Sequence, residues 1–170
     1  MRIIEQNDVV IVGGGIAGLI AGRRAAQQGM RVAVLERGGD EHYACNSRYS
    51  GGILHIAFHN IKESAAALLS VIEAATRGHA KPDLAHAFAQ NAGRVVDWLR
   101  EEGIQFVSVG NSAYQQWTFA PPRPITPGLD WRGRGADVMM HALEENLKKS
   151  GGTLLRGTAA HALIVDGAGG

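Results

Sequence analysis

The sequence has 170 residues, enough for one ordinary domain or part of a larger one. Lys and Arg total 17 against 16 Asp and Glu, a formal net charge of +1, which argues against a nucleic-acid binder working through a basic field. The 45% hydrophobic content excludes a disordered chain, no apolar run approaches the ~18–20 residues that cross a bilayer, and a single cysteine, Cys45, excludes a disulfide framework or a Cys-built metal cage.

The opening residues lead directly into a strand-like segment, without a basic-then-apolar leader pattern, so a reducing, cytoplasmic compartment is expected. Asp8 to Val12 is short, apolar and β-branched, which predicts a buried strand ending at Gly13. Ile16 to Gln28 predicts an Ala-rich helix stopped by Gly29, and Arg31 to Glu36 a second strand. Strand, glycine turn, helix and strand make a βαβ unit, whose two strands run parallel and adjacent.

Gly38 to Gly52 reads as a polar, glycine-punctuated loop. Asn60 with Glu63 predicts a capping box opening a helix over about 61–77, with Leu68, Leu69, Ile72 and Ala75 as its apolar stripe. Pro82 suits the first turn of a further helix, which is expected to bury Leu84, Phe88, Val95, Trp98 and Leu99 and to stop at Gly103. Ile104 to Val107 reads as a short strand. Asn111 to Gly135 carries four prolines and two tryptophans and is expected to be irregular. Asp137 to Lys149 predicts a helix with Met139, Leu143 and Leu147 on one face, its acid at the start and lysines at the end matching the dipole. Thr153 to Leu155 and Ala159 to Val165 read as strands. Asp166 to Gly170 looks like a hairpin turn with no return strand, so a truncated chain is expected.

Glycine is the compositional outlier, at 23 residues, and its placement carries the chemistry. Gly13, Gly15 and Gly18 form Gly-x-Gly-x-x-Gly between the first strand and the helix. The first glycine permits a tight turn, the second lets the backbone approach a pyrophosphate, and the third lets helix and strand pack closely. The helix N-terminus offers N–H groups and partial positive charge to the phosphates. Glu36, at the end of the second strand, is placed to accept hydrogen bonds from an adenosine ribose. This fingerprint serves both NAD and FAD. The run Asn46-Ser47-Arg48-Tyr49-Ser50-Gly51-Gly52 adds two close-approach glycines with hydroxyl and amide groups, which suits the long ribityl chain and ring of FAD.

With Val10 to Gly18, Val34-Leu35-Glu36-Arg37 and Asn46 to Gly52, the sequence resembles the flavoprotein family of fumarate reductase and succinate dehydrogenase, in its tricarballylate dehydrogenase-like branch. Trp131 to Asp137 and Gly157 to Asp166 also resemble it. The resemblance implies an α/β fold: a Rossmann-like FAD-binding domain with a partial parallel sheet, flanking helices and the start of a β-meander. Residues 1–170 would be its N-terminal portion. By position it implies that Gly13, Gly15, Ala17 and Gly18 face the pyrophosphate, that Glu36 holds the ribose and that Arg37 lies near the adenine. Asn46, Ser47, Ser50, Gly51 and Gly52 would line the ribityl-flavin segment, and Ala160 would offer backbone groups to the adenine. Some members attach FAD through a histidine upstream of the glycine pair. That position falls at or beside Cys45, so non-covalent FAD is implied. The substrate-capping domain, with the groups that bind a carboxylate or ketone substrate, would lie outside this chain.

The implied activity is dehydrogenation or reduction of a C–C bond beside a carboxylate or ketone. Another FAD enzyme, such as a monooxygenase, and an inert dinucleotide-binding fragment are the rivals; a disulfide reductase needs a second cysteine. The remaining candidates favour ordinary roles. Cys45 is expected to be a packed side chain, His55 and His59 lack a third metal ligand, and Arg123, Arg132 and Arg134 read as loop charge. Association through an open sheet edge is expected.

Overall fold

The computed structural model describes residues 6–124 and 130–165. The chain divides into two compact units, one of Met1–Asn46 with Leu143–Gly170, the other of Ser47–Ala142.

The first unit is the βαβ arrangement. Strand β1 is Val9–Val12, helix α1 is Ile16–Gln27 and strand β2 is Val32–Glu36. A further strand, Thr153–Arg156, completes the sheet; as the last in the chain it is β7. The order is β1-β2-β7, parallel throughout, with Val10 opposite Ala33 and Val34 opposite Leu154. Helix α1 packs on β1 and β2. At Gly22 a Cβ would lie 2.8 Å from Val34 Cγ2 and 3.4 Å from Leu147 Cδ1, so helix and strand approach closely because this residue has no side chain. Leu147 belongs to helix α5, Gly135–Lys149, whose residues from Leu143 onward count with this unit. Leu143 and Leu147 are fully buried, as their periodicity predicts. Beside them Glu144, 2% exposed, accepts two hydrogen bonds from Arg156 Nη2 at 2.5 and 2.7 Å and pairs with Lys148 at 3.0 Å.

The second unit holds a short helix, α2, at Asn46–Tyr49, which begins one residue before it. Two tiny hairpins follow: β3 His55–Ile56 with β4 His59–Asn60, and β5 Phe106–Val107 with β6 Thr118–Phe119. Helices α3, Ala65–Ala75, and α4, Pro82–Glu101, pack together. Their cluster joins Leu68, Ala89, Ala92 and Val96 with Ile56 and Ile61.

Several expectations are corrected here. The Gly38–Gly52 segment contains α2 rather than loop alone. The capping pair at Asn60 and Glu63 forms, with Asn60 N donating to Glu63 Oε1 at 3.1 Å, but it closes a turn. The helix starts later, where Ser64 Oγ accepts from Ala67 N. In α4 the buried seam is Ala85, Ala89, Ala92, Val96 and Leu99, while Leu84 and Phe88 are 61% and 58% exposed. Small side chains are what let α3 come close, so the larger residues are turned away from that contact. Trp98 is half-buried and Ala75 exposed. The Asn111–Gly135 stretch holds a 3₁₀ turn at Ala113–Gln115 as well as β6. Ala159–Val165 is not a strand; Leu163 and Ile164 are 89% and 83% exposed, and the segment has no ladder partner among the described residues. The turn expected at Asp166–Gly170 lies outside those residues. Among them, no helix is long and apolar enough to cross a membrane.

An ion pair fastens the start of the sheet. Asp8 Oδ2 accepts from Arg31 N at 2.8 Å, Asp8 Oδ1 from Arg31 Nη2 at 2.7 Å, and Asp8 N donates to Arg31 O at 2.9 Å. The Arg31 side chain, then its backbone N–H, lowers the Asp8 pKa to about 2. A depressed folded value means that the latch stabilises above the ordinary carboxylate value and is lost as pH falls from about 4 towards 2. An NMR titration should place the Asp8 midpoint near pH 2, and Arg31→Ala should return it towards 3.8.

Candidate functional site

The glycine turn is built by the first unit alone. Gly13 has φ +101°, and its N–H donates to Leu35 O at 2.8 Å, which seats the turn on the end of β2. Gly18 is one helical turn later, and a Cβ there would overlap the Gly13 carbonyl oxygen. The third glycine of the pattern is therefore required for α1 to leave the turn in this direction. Gly15 is the N-cap of α1, in an extended conformation without a side-chain acceptor, and the first turn carries no acid. No carboxylate side chain in that turn offsets the positive end of the helix, the arrangement that favours a phosphate. Ala17 is exposed on this turn.

Glu36 is tied into the turn. It is 7% exposed; Oε2 accepts from Gly14 N at 2.9 Å and Oε1 from Gly38 N at 2.7 Å. Each oxygen keeps a lone pair, so a ribose hydroxyl can still be accepted. Sequence reasoning placed Glu36 beside the cofactor and missed this internal role. It also missed Tyr43, which is fully buried and donates its hydroxyl to Gly14 O at 2.6 Å. No sequence signal marks a tyrosine in a loop as the partner of a glycine carbonyl 29 residues earlier. Beyond β7, Thr158 N donates to Glu36 O at 2.9 Å and Gly157 N to Gly38 O at 3.0 Å. This brings the backbone leading to Ala160 alongside Glu36. Arg37, Asn46 and Ala160 are exposed.

The serine and glycine residues of the second motif lie in the second unit. Ser50 Oγ donates to Ser47 O at 2.9 Å, closing α2. Gly51 is exposed, and a Cβ there would meet nothing within 4 Å. Gly52 is buried at φ +74°, with Phe119 N donating to Gly52 O at 2.8 Å and Leu54 N donating to Trp117 O at 2.9 Å. The chain leaving the glycine pair is thus laid against β6. Arg48 and Asp137, which sequence reasoning did not single out together, form an ion pair here with side chains 0% and 1% exposed.

The other candidates take ordinary places. His55 and His59 sit on the two strands of a hairpin rather than on a helix face; His55 Nδ1 accepts from Phe58 N at 3.1 Å, and His59 Nδ1 lies 3.4 Å from Glu63 Oε2. Arg134 pairs with Asp130 at 2.9 Å, Arg132 lies over the Trp131 ring, and Arg123 donates to Tyr49 O. Cys45 is half-buried.

Comparison with known proteins gives the family and the fold. Residues 8–169 match the family model described as the FAD binding domain. The chain belongs to that family. It is the family of the fumarate reductase and succinate dehydrogenase flavoproteins and related dehydrogenases. A vinyl phenol reductase of Lactiplantibacillus plantarum is 28% identical over 171 residues, covering 96% of this chain and 32% of the relative. A 4-oxocyclohexanecarboxylate 2-dehydrogenase of Sinomonas cyclohexanicum is 32% identical over 111 residues, 61% of this chain and 19% of that one. In fold, a 3-ketosteroid-Δ4-(5α)-dehydrogenase from Rhodococcus jostii superposes with a TM-score of 0.67 at 19% identity, covering 89% of this chain and 38% of that chain. The chain thus spans about a third of the length of the first relative.

FAD is the cofactor of the FAD binding domain, and this chain's residues fit it. Within the first unit, the uncapped start of α1 suits a pyrophosphate, and Glu36 retains acceptor capacity for a ribose. Glu36→Ala should cost stability as well as cofactor affinity, because it orphans the N–H groups of Gly14 and Gly38 at about 1–3 kcal/mol each. A fall in the urea midpoint of the cofactor-free protein checks this. Gly18→Ala should lower the same midpoint, through a loss of stability of about 1–3 kcal/mol for an overpacked contact.

Proposed function

We propose that this chain is the FAD-binding portion of an oxidoreductase that transfers hydride at a C–C bond beside a ketone or carboxylate. The observation that carries the reading is the glycine turn clasped to Glu36, which leaves the start of α1 without a side-chain cap. Gly13, Gly15, Ala17 and Gly18 would face the pyrophosphate, which backbone N–H groups of the first turn of α1 would hold. Glu36 would accept from the ribose and Arg37 would lie by the adenine, with Ala160 offering backbone groups to it. Asn46, Ser47, Ser50, Gly51 and Gly52 would line the ribityl-flavin segment, their hydroxyl and amide groups orienting it and the glycines allowing contact. FAD, when bound, supplies the hydride exchange.

The substrate class is supported by the names of relatives. A vinyl phenol carries a C=C bond, and 4-oxocyclohexanecarboxylate carries both a ketone and a carboxylate. The whole protein's acid, base and substrate-capping groups belong, in this reading, to the part of the relatives that the chain does not span. The three loop arginines are already engaged with Tyr49, Trp131 and Asp130. Association through an open sheet edge is part of the proposal: β1 and β7 each pair with β2 alone among the described residues.

The FAD is proposed to be non-covalent, since Cys45 and its neighbours offer no histidine at the family's attachment position. Acid precipitation of the loaded protein should leave the flavin fluorescence in the supernatant; fluorescence retained in the pellet overturns this. The loaded chain alone should show no turnover of fumarate-like, tricarboxylate-like or ketosteroid-like substrates with an artificial electron acceptor. Turnover that disappears on substituting Gly51 or Gly52 would show that the chain is catalytically complete.

A further inference from the structure

The run that would line the flavin is held by a charge that its own helix cannot hold. Helix α2 has only four residues, Asn46–Tyr49, and a single turn gains too few hydrogen bonds to fix its conformation. Its third residue, Arg48, is fully buried and donates through Nη1 to Asp137 Oδ1. Asp137 lies in the first turn of α5, where the helix dipole favours a carboxylate. Its other oxygen, Oδ2, accepts from Gly133 N at 2.8 Å, and His141 Nε2 lies 3.7 Å from Oδ1. The Gly133 N–H thus holds one oxygen of the acid while the other meets the arginine.

Two further contacts join the same short segment to the same stretch of chain. Arg123 donates to Tyr49 O, and the Tyr49 ring meets the Trp131 ring edge-on at 5.0 Å. Arg48 sits between Ser47 and Ser50, and Gly51 and Gly52 follow at once. All these residues belong to the second unit.

We infer that Arg48 is a positioning residue for the flavin half of the cofactor, held by Asp137, rather than only a stabiliser of the fold. This rests on the proposal that Ser47 to Gly52 lines the ribityl-flavin segment. The physical reason to look past stability is the cost of the pair. Two charges taken out of water lose hydration that their attraction only partly returns, and a well-packed neutral replacement is often as stable. A fold needing nothing but support here could use apolar side chains. A charged pair, in contrast, fixes direction as well as distance, and so sets the path of the Ser47–Gly52 backbone.

The adenine and flavin halves can be read apart, because the glycine turn of the first unit would bind ADP by itself. Affinities for FAD and for ADP are measured by titration calorimetry on the 170-residue chain, with flavin fluorescence as a second readout. The key variant is R48M/D137N, which removes both charges and keeps an amide oxygen for the Gly133 N–H. FAD affinity should fall about 10- to 100-fold, by analogy with the loss of a group that orients a metal ligand. ADP affinity should stay within about twofold, and Arg48→Lys should recover part of the FAD affinity while circular dichroism stays unchanged. FAD and ADP affinities that both stay at wild-type levels in R48M/D137N overturn the inference. A parallel fall in both also overturns it, assigning the pair to stability alone. If the unsubstituted chain binds ADP and gains nothing from the flavin half, the flavin reading of Ser47–Gly52 fails, and the inference with it.

Discussion

The first unit depends on how near α1 comes to the sheet. At Gly18 and Gly22 no Cβ fits, the first because of the Gly13 carbonyl and the second because of Val34. With a larger residue at either position the helix would stand away from β1 and β2, and its N-terminus would no longer begin against the turn. The direction of the helix, the course of the turn and the position of its N–H groups all follow from two missing side chains. Glu36 then converts that geometry into a fixed loop, because its two oxygens bind the backbone on either side of the β2 terminus.

The second unit solves a similar problem with different means. Its helices meet over alanines, and a 20-residue α4 approaches α3 because Ala89 and Ala92 take so little room. Its loops have no such repeating seam and are held by individual polar contacts. Trp117 Nε1 donates to Asn60 Oδ1 at 3.0 Å, Asn60 Nδ2 donates to Gln116 Oε1 at 2.8 Å, and Arg48 meets Asp137. These contacts fix short strands and a one-turn helix that would not persist as isolated segments.

That difference explains what the sequence made legible. The βαβ unit was readable because its strands are β-branched, its helix is Ala-rich and glycines punctuate both, so the local pattern and the final fold agree. The inward face of α5 was readable for the same reason, from Met139, Leu143 and Leu147. Helix α4 was misread because large apolar residues at Leu84, Phe88 and Val95 make the better-looking stripe, whereas the packed face was decided by which residues let the neighbouring helix approach. The strand expected at Ala159–Val165 had the composition of one, but strand formation needs a ladder partner. Within the candidate site, the turn at Gly13–Gly18 and the place of Glu36 at the end of β2 were legible from spacing. Tyr43, and the partnership of Arg48 with Asp137, were not: the latter two are 89 residues apart, and nothing in either local sequence points to the other.

Gly14 shows what this organisation means for the thermodynamics of ligand capture. Glycine loses more backbone freedom on ordering than any other residue, and fixing a backbone costs roughly 1–2 kcal/mol per residue. Here its N–H is committed to Glu36 and its carbonyl to Tyr43. The loss of motion at this point of the turn is therefore met once, during folding. A dinucleotide arriving at such a turn meets a surface whose shape is already settled, and the entropy of ordering that loop is absent from its binding free energy.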